Sequence, residues 1–303
     1  MSWAAHELES LILHKHATAS WRVSYMAILV GALMPDFTKL PVYGLSIGSH
    51  ELIKAPEPWF YHRGWPGMGP THSLLFGVVV ASLVWAATRS KPWSIGLLIG
   101  VWSHVLTDTA DSVGVMLFFP FSTQHYNLGM WEYASQEGRY GDAAAYFSSL
   151  GVVWDAMWLV LLVLLARRAF TNTYFHAHVE PGDPLWAALR RVVPHREVVL
   201  RAVFRAYIVY GAARLVGWFL WARLVNPNRG TQTMDLSWGG PEWVQAPPRF
   251  QEADTWAGFV ATTLFGVAGV GLTVWVAWRF TRRLPDRSSV DESKAISERE
   301  ACT

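Results

Sequence analysis

Apolar positions in this chain gather into long runs instead of alternating with polar ones. The runs are Val23 to Met34, Ser73 to Thr88, Trp93 to Leu106, Val152 to Ala166, Val203 to Val225 and Trp256 to Trp278. Crossing a bilayer takes roughly 17–25 apolar residues as helix. The first run is short for that, the second is near the lower limit, and the last is a clean span. The pattern predicts an all-α, polytopic membrane helical bundle of about five spans, with a short N-terminal helix hairpin before them.

The hairpin follows from lengths. An amphipathic helix over about Trp3 to Ala17 is followed by the turn Thr18-Ala19-Ser20 and then by the first apolar run. Two helices of about 14 residues each reach about 21 Å, short of the roughly 30 Å hydrocarbon core. A pair dipping in from one side would bring His6 and Asp36, at its open ends, to one level. His14 and His16 would lie near its inner turn.

Composition strengthens the membrane reading. Charged residues make up 16% of the chain and hydrophobic ones 52%, where soluble domains carry about 25% charged. The 18 Trp suit the membrane–water interface. With a net charge of +2, nothing marks a nucleic-acid binder, and none is expected as a partner. The single Cys302 forms no intrachain disulfide and joins no metal motif, so any metal needs N and O ligands. Residues 1–20 are too polar for a signal-peptide core.

Charge also orients the bundle. The links Thr88 to Pro92 and Arg167 to Arg201, and the tail after Trp278, concentrate Lys and Arg. They alternate with the longer, less basic segments Asp36 to Thr71, Ala110 to Leu150 and Asn226 to Thr255. The positive-inside rule makes the basic segments cytoplasmic. The expected organisation is a metal-site membrane domain over residues 1–125, then additional helices with outer loops and a basic link over 126–283. A polar, disordered tail over 284–303 completes it.

With that orientation, candidate ligands from three segments converge at the outer face. Asp36 ends one helix, His72 begins the next, and His104 and Asp108 lie at the outer end of the third. In Ser103-His104-Val105-Leu106-Thr107-Asp108, His and Asp stand at i and i+4 on one helical face. Asp111 is seven on from His104 and returns to that face. Imidazole and carboxylate suit zinc or another divalent first-row ion. The plainer alternative is a His–Asp hydrogen bond at a helix end. Ionisable residues inside a membrane segment are costly and commonly functional, which favours ligation. Pro35-Asp36 could be turn chemistry, His72 an ordinary N-terminal helix residue and His62 an ordinary loop residue. Loop roles are also expected for His125, and solvated ones for His176, His178 and His195. Arg214 falls mid-span, with Asp155 as a partner from the neighbouring span or a polar cavity around it.

The series Pro35-Asp36, His62-Arg63-Gly64, Thr71-His72-Ser73 and Ser103-His104-x-x-x-Asp108 resembles the LexA-regulated, membrane-bound, metal-dependent hydrolase family of the YdjM type. Gly114-Val115-Met116-Leu117-Phe118-Phe119-Pro120 is similar to that family's loop after the His/Asp helix. The resemblance covers about residues 1–125. It implies a distant similarity to bacterial zinc-dependent phospholipase C and a bacterial inner membrane location. It implies the ligand set His6, Asp36, His62, His72, His104 and Asp108. The chain departs from the family pattern in two places: Phe37-Thr38 replaces a second acidic position after Asp36, and Trp65 to Pro70 separates His62-Arg63-Gly64 from Thr71-His72-Ser73.

The chemistry expected is hydrolysis of a lipid or lipid-linked substrate, with a phosphoester among the suitable bonds. A divalent ion, zinc first, lowers the pKa of a bound water toward about 7. Asp111 is the base candidate, and Arg63 could pair with an anionic oxygen or simply lie near lipid headgroups. Membrane lipid is the expected partner. The alternatives are a non-catalytic membrane protein with a structural or transport-related ion site, and a scaffold whose His and Asp residues only cap helices.

Overall fold

The computed structural model describes residues 6, 8–14, 23–37, 45–47, 50–53, 71–111, 114–122, 124–131, 143–179, 183, 185–186, 189, 191, 196–230, 233–238 and 243–245. Helices dominate it. Residue 6 and residues 8–14 form α1. The other long helices are α2, Tyr25–Phe37; α3, Leu74–Thr88; α4, Lys91–Asp108; α5, Gly151–Ala169; and α6, Arg196–Leu220. Two short antiparallel pairs join β1, Leu45–Ile47, to β2, His50–Ile53, and β3, Gln124–Tyr126, to β4, Trp243–Gln245. The helices fall on the apolar runs. Two depart at their ends: α5 continues through Arg167 and Arg168, and α6 begins at Arg196, before its apolar stretch.

Local chemistry sets the ends that matter. Ser24 Oγ accepts the Ala27 N–H at the start of α2. Ser73 caps α3 by accepting the Phe76 N–H at 3.2 Å, the ordinary service of an N-cap hydroxyl. Arg89, at φ 55°, closes α3 through its N–H to Trp85 O. Only Arg89 and Ser90 separate α3 from α4, and Pro92 sits in the first turn of α4, where its missing N–H costs nothing.

The turn makes α3 and α4 antiparallel: Trp102 Nε1, near the end of α4, donates to Leu74 O at the start of α3. Helix α2 runs parallel to α4. Their starts meet where Ser24 N donates to Pro92 O at 3.2 Å. Their far ends meet where His104 Nδ1 reaches Ala32 O at 2.6 Å. Glycines permit this approach. A Cβ on Gly100 would lie 2.2 Å from Ile28 O, and one on Gly31 2.6 Å from Leu97 O.

Two apolar clusters hold the bundle. Phe76, Val80, Val84, Leu97, Val101 and Val105 join α3 to α4, with Ala27 and Met34 from α2. The larger cluster joins Leu8, Leu11 and Tyr25 to Phe147, Trp158, Leu162, Phe204, Ile208 and Leu215. Helix α6 thus lies against α1 and α2. At Gly211 an added Cβ would meet Leu8 Cδ2 at 2.7 Å.

The outward faces are apolar as well. Val153, Met157, Val160 and Leu164 form an exposed stripe along α5, and Leu75, Val78, Val79 and Leu83 are exposed on α3. Contiguous apolar surface of this kind is poorly suited to water and well suited to lipid. Among the described residues, Glu197–Val225 is one helix long and apolar enough to cross a membrane, while Tyr25–Pro35 and Leu74–Thr88 are shorter apolar helices. The run Trp256 to Trp278 and the tail 284–303 lie outside the described residues.

Candidate metal centre

The helix ends that the packing brings together carry the candidate ligands. His72 precedes the first turn of α3, and His104 and Asp108 occupy the last turns of α4. His6 arrives from α1. All four are buried: His72 and His104 are 0% exposed, Asp108 1% and His6 3%. Asp108 lies at the centre. Its Oδ1 meets His6 Nε2 at 3.2 Å. Its Oδ2 meets His104 Nε2 at 3.2 Å and His72 Nε2 at 3.4 Å. The Nε2 atoms of His72 and His104 are 3.2 Å apart. The His6 and His104 rings stack with centroids 3.7 Å apart.

The other ring nitrogens decide what this convergence means. His104 Nδ1 faces the Ala32 carbonyl, which can only accept, so Nδ1 carries the proton. Thr71 Oγ1 can donate to Pro35 O at 3.3 Å. The same oxygen lies 3.1 Å from His72 Nδ1, so the one hydroxyl hydrogen serves either contact. His6 Nδ1 lies 3.1 Å from the Glu9 carboxylate. His104 is thus held as the tautomer with its lone pair on Nε2, while His6 has a carboxylate at each ring nitrogen. The three Nε2 atoms converge on one carboxylate. The group could hold a shared cation.

Electrostatics agrees. Burial disfavours an imidazolium at His6, but Glu9 and Asp108 outweigh it and hold its pKa up at about 9. The pocket therefore draws positive charge. Its donors also fit a divalent first-row ion. The edges among His72, His104 and Asp108 Oδ2 measure 3.2, 3.2 and 3.4 Å. Ligands about 2.0–2.1 Å from a tetrahedral zinc stand about 3.3 Å apart. The donor atoms of His6, His104 and Asp108 lie within 4.8 Å of one another.

Four of the sequence-predicted ligands therefore meet: His6, His72, His104 and Asp108. The Asp36 backbone ends α2 near this level, but its side chain lies outside the described residues, as do His62 and Arg63. Asp111 is buried beyond the end of α4, where its Oδ1 accepts the Gly114 N–H at 2.8 Å. Helix α4 stops at Asp108, so a helical projection no longer places Asp111. His14 lies at the other end of the hairpin, where its Nε2 donates to Val23 O at 3.2 Å.

Several residues elsewhere differ from their expected surroundings. His125 is in β3, opposite Val244, and is buried. His176 and His178 are half-buried, against Arg201 and Tyr174 respectively. Asp155 accepts from Tyr146 at 2.8 Å, while Arg214 lies over the Tyr210 ring.

Sequence reasoning missed the residues around the ligands. Glu9, Thr71, Ser103 and Thr107 all bond within the cluster. A faint signal existed for three of them. Glu9 follows His6 by one helical turn, and Ser103 and Thr107 directly precede His104 and Asp108.

No curated protein and no solved structure matches the chain. A family model does match, over residues 5–178, more than half of the 303 residues and spanning all four converging ligands. The chain belongs to the YdjM inner membrane protein family.

Proposed function

We propose that this membrane protein is a metal-dependent hydrolase acting on a lipid or lipid-linked substrate, a phosphoester being the bond best suited to it. One observation carries the reading: three imidazoles, each with its Nδ1 engaged, turn Nε2 toward the single carboxylate of Asp108. His6, His72, His104 and Asp108 would hold the ion. When bound, zinc or a similar ion supplies a water acidified toward a pKa of about 7.

The chain's own residues do the remaining work. Asp111 is the carboxylate proposed to take a proton, and its bond from Gly114 fixes where it sits. Arg63 is proposed to pair with an anionic oxygen of the substrate. Lipid as substrate is supported by the apolar surroundings of the site. The loop after α4 joins α3 through Leu74 N to Leu117 O and exposes Phe118 and Phe121. The positive-inside argument puts the site at the outer face of the membrane.

Complete burial of His72 and His104 favours a second reading, a closed structural or transport-related ion site. Purified protein distinguishes the two. Elemental analysis should find a divalent metal. Chelation should abolish, and zinc restore, hydrolysis of phosphodiester and carboxylester lipid analogues. Retained metal with no turnover across both classes would support the structural or transport site. Absence of metal from correctly folded protein would sink both.

A further inference from the structure

Glu9 occupies the far side of the His6 ring from Asp108. Asp108 meets Nε2, and Glu9 meets Nδ1 at 3.1 Å. Both Glu9 oxygens are engaged. Oε1 also accepts from Thr107 Oγ1 at 2.9 Å, and Oε2 accepts from Ser103 Oγ at 2.5 Å. The residue is 1% exposed. A carboxylate is expensive to bury and persists only where donors surround it. Its donors here are one ligand and the immediate chain neighbours of two others.

We propose that Glu9 is the positioning residue of the metal centre. Through Nδ1 it sets the tautomer and angle of His6, so that Nε2 is presented to the cation. Through Ser103 and Thr107 it registers α1 against the part of α4 that carries His104 and Asp108. Glu9 is not itself a ligand, because the His6 ring stands between it and Asp108. The inference rests on the metal reading of the site. It adds an outer partner of the kind that tunes metal affinity about 10–100-fold.

The test is zinc affinity of the detergent-solubilised full chain, measured by competition with a chromophoric chelator. The variants are Glu9→Ala, Glu9→Gln, His6→Ala and the double variant His6→Ala/Glu9→Ala. Glu9→Ala should weaken zinc binding about 10–100-fold. Glu9→Gln, which keeps an oxygen for the Nδ1–H, should lose less. In the His6→Ala background the Glu9 change should cost nothing further, because its effect passes through His6. Equal losses in both backgrounds, or none in either, would overturn the proposal while leaving the metal site standing. Wild-type protein that binds no zinc would overturn both together. If Glu9→Ala does not fold, the near-isosteric Glu9→Gln carries the same comparison between backgrounds.

Discussion

The two ends of α2 both bury a carboxylate, and they do opposite things with it. At the start of α2, Asp183 arrives from a distant segment. Its Oδ2 accepts from Ser24 Oγ at 2.5 Å and Met26 N at 3.1 Å, and its Oδ1 from Leu185 N at 2.9 Å and Trp186 N at 3.5 Å. Every contact pairs a donor with an acceptor. At the other end, Asp108 faces the Nε2 atoms of three imidazoles, His6, His72 and His104. Burial is nearly identical, 2% against 1%. Burial of a charge is therefore not the functional signal here. The difference lies in the groups around it: backbone and hydroxyl donors at Asp183, and at Asp108 a set of imidazoles that could hold a cation with it.

The comparison can be broken most directly at Asp108. Asp108→Ala should remove bound metal altogether, a larger loss than the 10–100-fold typical of outer partners. His104→Ala should do the same, with helical content by circular dichroism preserved in both. Full metal occupancy in either variant would refute the distinction.

Gly100→Ala should disturb both ends at once. The added methyl meets the Ile28 backbone at 2.2 Å, so α4 must move from α2 and the His104–Ala32 bond must lengthen. We expect a loss of about 3 kcal/mol in stability, from overpacking against an unyielding carbonyl, together with weaker metal binding. A normal melting temperature would show that the helices are not in this contact.

Asp183→Ala should cost stability alone, about 2 kcal/mol, from the lost cap and the stranded donors. Asp183→Asn should cost less, since its oxygen still accepts. Zinc affinity should stay within twofold of wild type in either variant, a change of about 0.4 kcal/mol at most. A tenfold drop would show that the two ends are coupled. The smallest expected effect is that of His14→Gln, which should leave metal content unchanged because His14 lies beside Val23 at the Asp183 end.

Much of the site was legible because helix ends are legible. The i,i+4 spacing of His104 and Asp108 survives folding unchanged, and the short N-terminal hairpin does bring His6 to their level. His72 was marked by its place at the start of an apolar run and by the family resemblance. The tautomer-setting partners were not legible. Ala32 O reaches His104 only because Gly31 and Gly100 let α2 and α4 close, and periodicity carries no information about that register. Asp183 was illegible for the same reason: its partners on the α2 side, Ser24 and Met26, lie about 160 positions away. Asp111 shows the opposite error, a helical spacing extended past the residue where the helix stops.

The seating of Leu8 against Gly211 has a consequence for how the molecule is made. His6 lies far ahead of α6 in the sequence, yet α1 gains much of its packing from α6, through Leu8, Leu11, Phe204 and Ile208. That packing cannot form until α6 has been synthesised. On the proposed metal reading, ion capture would follow the docking of α6, and a nascent chain halted before α6 would carry His72, His104 and Asp108 on the α3–α4 pair with His6 still unmoored.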